Sequence, residues 1–160
     1  MRSVSYRDQI KIGNRKSEMA VVIINRQRAR KIDGRQFSKF VDKALRVMGV
    51  DTHEATIVFV SNKAIIDLNR RFRGKDYATD VLSFPTKPEA FEHESNSSLG
   101  DVVISVERAA EQAKQNRLSF SAEVRQLILH GLLHLCGYDH ETDNGEMNRL
   151  ELKVRKRLGI

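Results

Sequence analysis

The chain is poor in three things, and each shortage excludes something. Cys136 is its single cysteine, so no disulfide can form within it and the fold must rest on an apolar core. No apolar run approaches bilayer length, and no apolar stretch of signal-peptide type stands near the N-terminus; with the lone thiol this reads as a cytoplasmic protein. Internal repeats are lacking too, which removes the solenoid and propeller classes. Cys136 itself reads as a small hydrophobe on a helix rather than a ligand or nucleophile.

What is present is an ordinary globular balance. The 160 residues are 40% hydrophobic and 31% charged, enough for one domain with a proper core. The net charge of +7 is unevenly placed: residues 1–35 carry ten Lys or Arg against Asp8, Glu18 and Asp33, and the remainder is neutral. A basic end on a neutral body points to a polyanion, nucleic acid before membrane, because the apolar face of a membrane-surface helix is missing. Arg26, Arg28, Arg30 and Lys31 are the candidate contacts. Residues 1–18 are polar and aperiodic and read as a flexible basic extension, leaving 19–160 as the domain.

The periodicities predict strands at 20–25, 55–60, 79–85 and 101–105 and helices at about 34–48, 62–72, 106–116, 119–135 and 144–158. Asp33 and Ser61 stand where N-caps are needed, and Pro85 stops the third strand. Residues 86–98 read as a mobile polar loop, with His93 exposed in it rather than ligating. The element order argues an α+β fold: a small mixed four-stranded sheet packed with about five helices.

The stretch that carries chemistry runs from His130 to His140 and holds histidines at 130, 134 and 140. The first two, four apart on a helix, project from one face. Gly137 is a natural stop for that helix, after which the chain can turn back and bring His140 beside them. Three neutral imidazoles converging at the end of a helix suit a divalent transition metal, zinc first, with water in a fourth position. A zinc peptidase helix would place its general base, a glutamate, directly after the first histidine. Here Gly131 stands there, so no carboxylate comes from that site. Gly131 serves either a close approach of substrate or tight helix packing.

With the pieces placed, the sequence resembles the YbeY family of bacterial endoribonucleases. The resemblance covers 19–160 and rests on three blocks. One runs from Leu68 through Arg73-Gly74-Lys75-Asp76 to Thr79-Asp80-Val81-Leu82-Ser83-Phe84-Pro85; the second is Leu99-Gly100-Asp101; the third is His130-Gly131-Leu132-Leu133-His134-Leu135-Cys136-Gly137-Tyr138-Asp139-His140. The resemblance implies one zinc on His130, His134 and His140, and a role for Arg73 in activity. It implies cleavage of single-stranded RNA in maturation of the 16S rRNA 3′ end and in ribosome quality control. The partners it implies are rRNA, small-subunit components and ribosome-associated factors.

The chemistry asks for the same parts. A phosphodiester repels its nucleophile, so a zinc-bound water would supply hydroxide near neutral pH and the ion would polarise a phosphoryl oxygen. Arg73, with Lys75 two residues on, is the candidate clamp for charge growing on the phosphate; a salt bridge to Asp76 or Asp80 is its bland alternative. For the base, or for a carboxylate that orients an imidazole, Asp139, Asp101 and Asp80 are the candidates. Two other functions stay open on the residues alone. One is a zinc hydrolase of peptides. The other is a non-catalytic ribosome-assembly factor whose structural metal is closed by a fourth ligand such as Cys136.

Overall fold

A computed structural model describes residues 21–50, 54–86 and 98–160. The N-terminal extension, the start of the first strand at residue 20, and most of the polar loop with His93 lie outside the described residues. The elements are β1 (Val21–Asn25), α1 (Gly34–Met48), β2 (Glu54–Val60), α2 (Asn62–Arg73), β3 (Val81–Pro85), β4 (Ser98–Ser105), α3 (Val106–Gln115), α4 (Phe120–Leu135) and α5 (Glu146–Leu158). The sheet order is β1-β2-β4-β3. β1, β2 and β4 are parallel, and β3 is antiparallel to β4 with Ser83 opposite Val102 and Phe84 opposite Asp101. This is the α+β fold with a mixed four-stranded sheet and five helices that the periodicities predict.

The two-residue period of the strands sorts their side chains between two cores. Ala55, Ile57 and Phe59 of β2 and Val102 and Ile104 of β4 face the larger core, built with α1, α3, α4 and α5. Val58, Val60 and Val103 face the smaller one with Leu82 of β3 and Ile65 of α2. The continuous apolar runs of β2 and β4 follow from burial on both faces.

α4 is the central helix. Val124, Ile128, Leu129, Leu132 and Leu133 are each fully buried, and burying one such side chain contributes about 1.5–3 kcal/mol. Its start is capped by Ser119, whose hydroxyl accepts from the Ala122 amide. Asp33 and Ser61 cap α1 and α2 in the same way, as the sequence predicts.

Gly131 sets how close α4 lies to the sheet. A Cβ there would stand 2.5 Å from Val102 Cγ1, closer than real carbon contacts allow, and tight against Ser83 Oγ at 3.3 Å. The Ser83 hydroxyl donates to the Gly131 carbonyl at 3.1 Å. Of the two roles open to Gly131, the structure shows helix-to-sheet packing. The position that holds a peptidase's glutamate is pressed against β4, with no room for a carboxylate.

Candidate metal centre and its cleft

α4 ends in a Schellman turn. The Tyr138 amide donates to the Leu133 carbonyl at 3.2 Å and the Gly137 amide to the His134 carbonyl at 3.0 Å. Gly137 takes φ 92°, a conformation other residues adopt only with strain. The next residues form an Asx turn in which the Asp139 carboxylate accepts from the Glu141 amide at 3.0 Å. Those two turns reverse the chain and return His140 to the helix.

The three imidazoles meet as the spacing predicts. Ring centroids are 4.8 Å apart for His130 and His134, 5.5 Å for His130 and His140, and 5.4 Å for His134 and His140. One donor nitrogen from each ring lies within 4.8 Å of the other two. His130 Nε2 and His134 Nε2 are 3.2 Å apart; donors sharing one tetrahedral ion at ~2.1 Å stand about 3.4 Å apart. This cluster can hold a metal ion, and its chemistry, three nitrogens with no carboxylate, suits a borderline-soft divalent one.

Sequence spacing does not reveal the carboxylate that orients the site. Glu151, on α5 and 8% exposed, accepts from His130 Nδ1–H at 3.1 Å. Its other oxygen accepts from Arg155 at 2.6 Å. Burial pushes the Glu151 carboxyl upward, but His130 and Arg155 outweigh it and hold it below its ordinary range. An ionised carboxylate only accepts, so a proton sits on Nδ1, and Nε2, which faces His134, is the nitrogen left to hold a metal. The signal available in the sequence is an acid on the buried stripe of α5, four residues after the buried Met147.

His134 is pushed below the usual imidazole range by burial and by the neighbouring His130 and His140; Asp139 and the Tyr138 backbone pull the other way. That favours the neutral ring a metal requires.

The histidines form one wall of an open cleft of ≈ 520 Å³; Arg73, Lys75, Tyr77 and Asp80 stand among its other lining residues. Arg73 is the last residue of α2, and Gly74 (φ 64°) turns the chain behind it. The two acids that could simply pair with Arg73 are otherwise engaged. Asp76 pairs with Arg70, and the Asp80 carboxylate accepts from the Val81 amide at 2.8 Å and the Thr79 hydroxyl at 3.2 Å. Among the described residues neither Arg73 nor Lys75 forms an ion pair.

Not every candidate reaches the cleft. Asp139 and Asp80 line it, each with a carboxylate oxygen in a turn bond. Asp101 pairs with Phe84 in the sheet and by the strand period faces the α2 side, away from α4; it is not among the lining residues. Cys136 lines a separate groove with Met48, Leu150 and Val154, and burial pushes its thiol up, so it does not close the histidine cluster as a fourth ligand. Arg26, Arg28, Arg30 and Lys31 lie elsewhere as well. Arg30 stacks over Phe120 at 4.4 Å, at the start of α4, and His134 is roughly 20 Å further along at 1.5 Å per residue.

With the geometry in view, comparison with known proteins is decisive. The family model described as Endoribonuclease YbeY matches residues 22–159. The chain belongs to the YbeY family. An endoribonuclease YbeY of Alkaliphilus metalliredigens is 45% identical over 150 residues, spanning 89% of this chain and 97% of that one. Another, from Caldanaerobacter subterraneus subsp. tengcongensis, is 40% identical over 160 residues and covers 89% of this chain and 99% of its own. A Thermotoga maritima protein solved in solution shares the fold with a TM-score of 0.58 at 26% identity, over 86% of this chain and 88% of that chain. The matched span runs across the positions of the three histidines, Arg73 and Glu151.

Proposed function

We propose that this YbeY protein is a zinc-dependent endoribonuclease of single-stranded RNA, acting in the cytoplasm on the 3′ end of 16S rRNA and in ribosome quality control. The observation that carries the reading is the meeting of three metal-competent imidazoles across one open cleft with Arg73 and Lys75, neither of them ion-paired among the described residues. Family membership supports RNA as substrate. No described helix is long and apolar enough to cross a membrane.

In this reading His130, His134 and His140 hold the ion, and a zinc ion there supplies Lewis acidity and an acidified water. Glu151 keeps His130 Nε2 bare and aimed, with Arg155 holding the carboxylate. Arg73 carries a planar fork that matches two phosphate oxygens, and Lys75 adds a second positive charge. Positive charges lining the cleft stabilise the extra charge of the transition state. Asp139, Asp80 and Glu141 are the carboxylates among the described lining residues of the cleft, and so the groups there that can take up a proton. Small-subunit components and ribosome-associated factors are the proposed partners.

The test is metal analysis of the purified protein together with cleavage of a single-stranded fragment of the 16S 3′ end. About one zinc per chain, cleavage lost with chelator and restored with zinc, and no cleavage of the same sequence in a duplex are expected. Undiminished cleavage by metal-free protein overturns the reading.

A further inference from the structure

Tyr77 is one of three exposed aromatic side chains among the described residues. The residue is 55% exposed, although an aromatic side chain gains by packing. Phe72, at 60%, and Tyr138, at 38%, are also exposed, but of the three Tyr77 alone is among the residues lining the histidine cleft.

The exposure does not come from a slack loop. Asn69, 1% exposed, donates from Nδ2 to the Tyr77 carbonyl at 2.9 Å. The Lys75 amide returns to the Asn69 carbonyl at 3.3 Å, and Asp76 between them is paired with Arg70. A buried amide is costly unless its hydrogen bonds are made, and here that amide fixes the backbone beneath an exposed ring. The ring is held out over the cleft before any ligand arrives, so little freedom is lost on binding.

Its neighbours define what it would meet. Lys75 Nζ is 6.0 Å from the ring centroid, and Arg73 lines the same cleft. An exposed aromatic ring with a lysine over one face and Arg73 in the same cleft matches a nucleobase joined to its phosphate. In a duplex the π-faces are covered by neighbouring pairs; in a single strand a base can unstack and lie on an aromatic ring.

We propose that Tyr77 is the base-stacking platform of the cleft: one unpaired base lies on its ring while Arg73 and Lys75 hold the adjoining phosphate. The proposal rests on the single-strand RNA reading and deepens it, since preference for unpaired RNA then has a physical source. Stacking tolerates any base, so the platform sets strandedness rather than sequence.

The experiment uses the zinc-loaded full chain and a 2′-O-methyl single-stranded oligonucleotide, with an abasic site moved one position at a time. Tyr77→Ala is expected to weaken the intact oligonucleotide about ten-fold, the weight of one stacked base, with zinc content and Tm unchanged. At one position the abasic site costs the wild type a similar factor and the variant nothing further. Tyr77→Trp restores binding. A 2-aminopurine at that position is quenched by the wild type and by Tyr77→Trp but not by Tyr77→Ala. Unchanged binding by Tyr77→Ala, or losses that add at every abasic position, overturn the platform. Cleavage of unmodified RNA by the wild type is read separately: cleavage with an indifferent Tyr77 sinks the platform alone, and no binding or cleavage of any RNA sinks both.

Discussion

His130 Nδ1 donates to Glu151 Oε2 across 3.1 Å, joining two helices whose partners are 21 residues apart in sequence. Arg155 holds the other oxygen at 2.6 Å, one turn further along α5. The pair sets both the tilt of the imidazole and the nitrogen that stays bare. Loss of a carboxylate in this position is expected to weaken metal binding about 10–100-fold. Glu151→Ala should therefore release zinc to a competing chelator at far lower concentrations than the wild type. Glu151→Gln, whose amide oxygen still accepts from Nδ1–H, should fall between them. Nitrogen-15 shifts of His130 in the metal-free protein should show a single tautomer that becomes mixed in Glu151→Ala. Equal zinc affinity in all three proteins would falsify the orienting role.

Glu151 also shows where sequence legibility ends. The histidine triad is readable because its parts are local: an i,i+4 pair on a helix, a glycine stop and a short return. Caps at Asp33 and Ser61 and the runs of β2 and β4 are readable for the same reason. What joins Glu151 to His130 is the docking of α5 on the fold, a tertiary event with no spacing rule. Asp139, adjacent to a ligand, is the natural candidate in sequence for the orienting carboxylate, yet its Oδ1 accepts from the Glu141 amide in a turn. Asp101 stands out by its place in a motif, and only the strand register reveals that it faces the other core. The loop that holds Tyr77 depends on a buried Asn69, and burial of a polar side chain leaves no mark on hydropathy.

Gly131 gives a stability test with a built-in control. In an exposed helix, alanine would be favoured over glycine by roughly 1 kcal/mol. At 131 the added methyl meets Val102 Cγ1 at 2.5 Å, and overpacking of this kind typically costs about 1–3 kcal/mol. The expected outcome is a Tm lowered by several degrees in Gly131→Ala, with part of the loss recovered when Val102→Ala makes room. Gly131→Glu, which recreates the peptidase pattern, should fold poorly and show no peptidase activity. A Gly131→Ala protein as stable as the wild type would show that α4 can shift off the sheet at no cost.

Arg73 and Arg70 belong to one helix turn and should behave in opposite ways. Arg70 spends its guanidinium on Asp76 and Asp67 at the surface, and exposed pairs of this kind are worth ~0–1 kcal/mol. Arg73 has no such partner among the described residues and lines the cleft. Arg73→Ala is expected to slow RNA cleavage on the order of 100-fold, the typical weight of one missing transition-state interaction, with zinc content intact. Arg73→Lys should recover only part, because an ammonium cannot reproduce the bidentate fork. Arg70→Ala should lower Tm only slightly and slow cleavage far less than Arg73→Ala, its remaining effect coming from Asp76, which loses its partner and is released beside Arg73. Comparable losses at the two positions would move the clamp away from Arg73.

The basic loop and the cleft are separated by the length of α4, and that distance predicts how substrate length matters. Arg28 and Lys31 are exposed near the Phe120 end of the helix, where Arg30 is stacked, roughly 20 Å from His134 by helix rise. A short oligonucleotide confined to the cleft cannot touch both regions, whereas a longer strand can. The double variant Arg28→Ala, Lys31→Ala should therefore bind a trinucleotide as the wild type does and a long single strand more weakly. For the long strand, the slope of log K against log salt should shrink by about 0.7 for each phosphate that the variant no longer neutralises. Cleavage rates at saturating RNA should not change, because neither residue borders the histidines. If the variant instead binds the trinucleotide more weakly, the loop must fold back toward the cleft when RNA binds, and α4 no longer measures the distance between them.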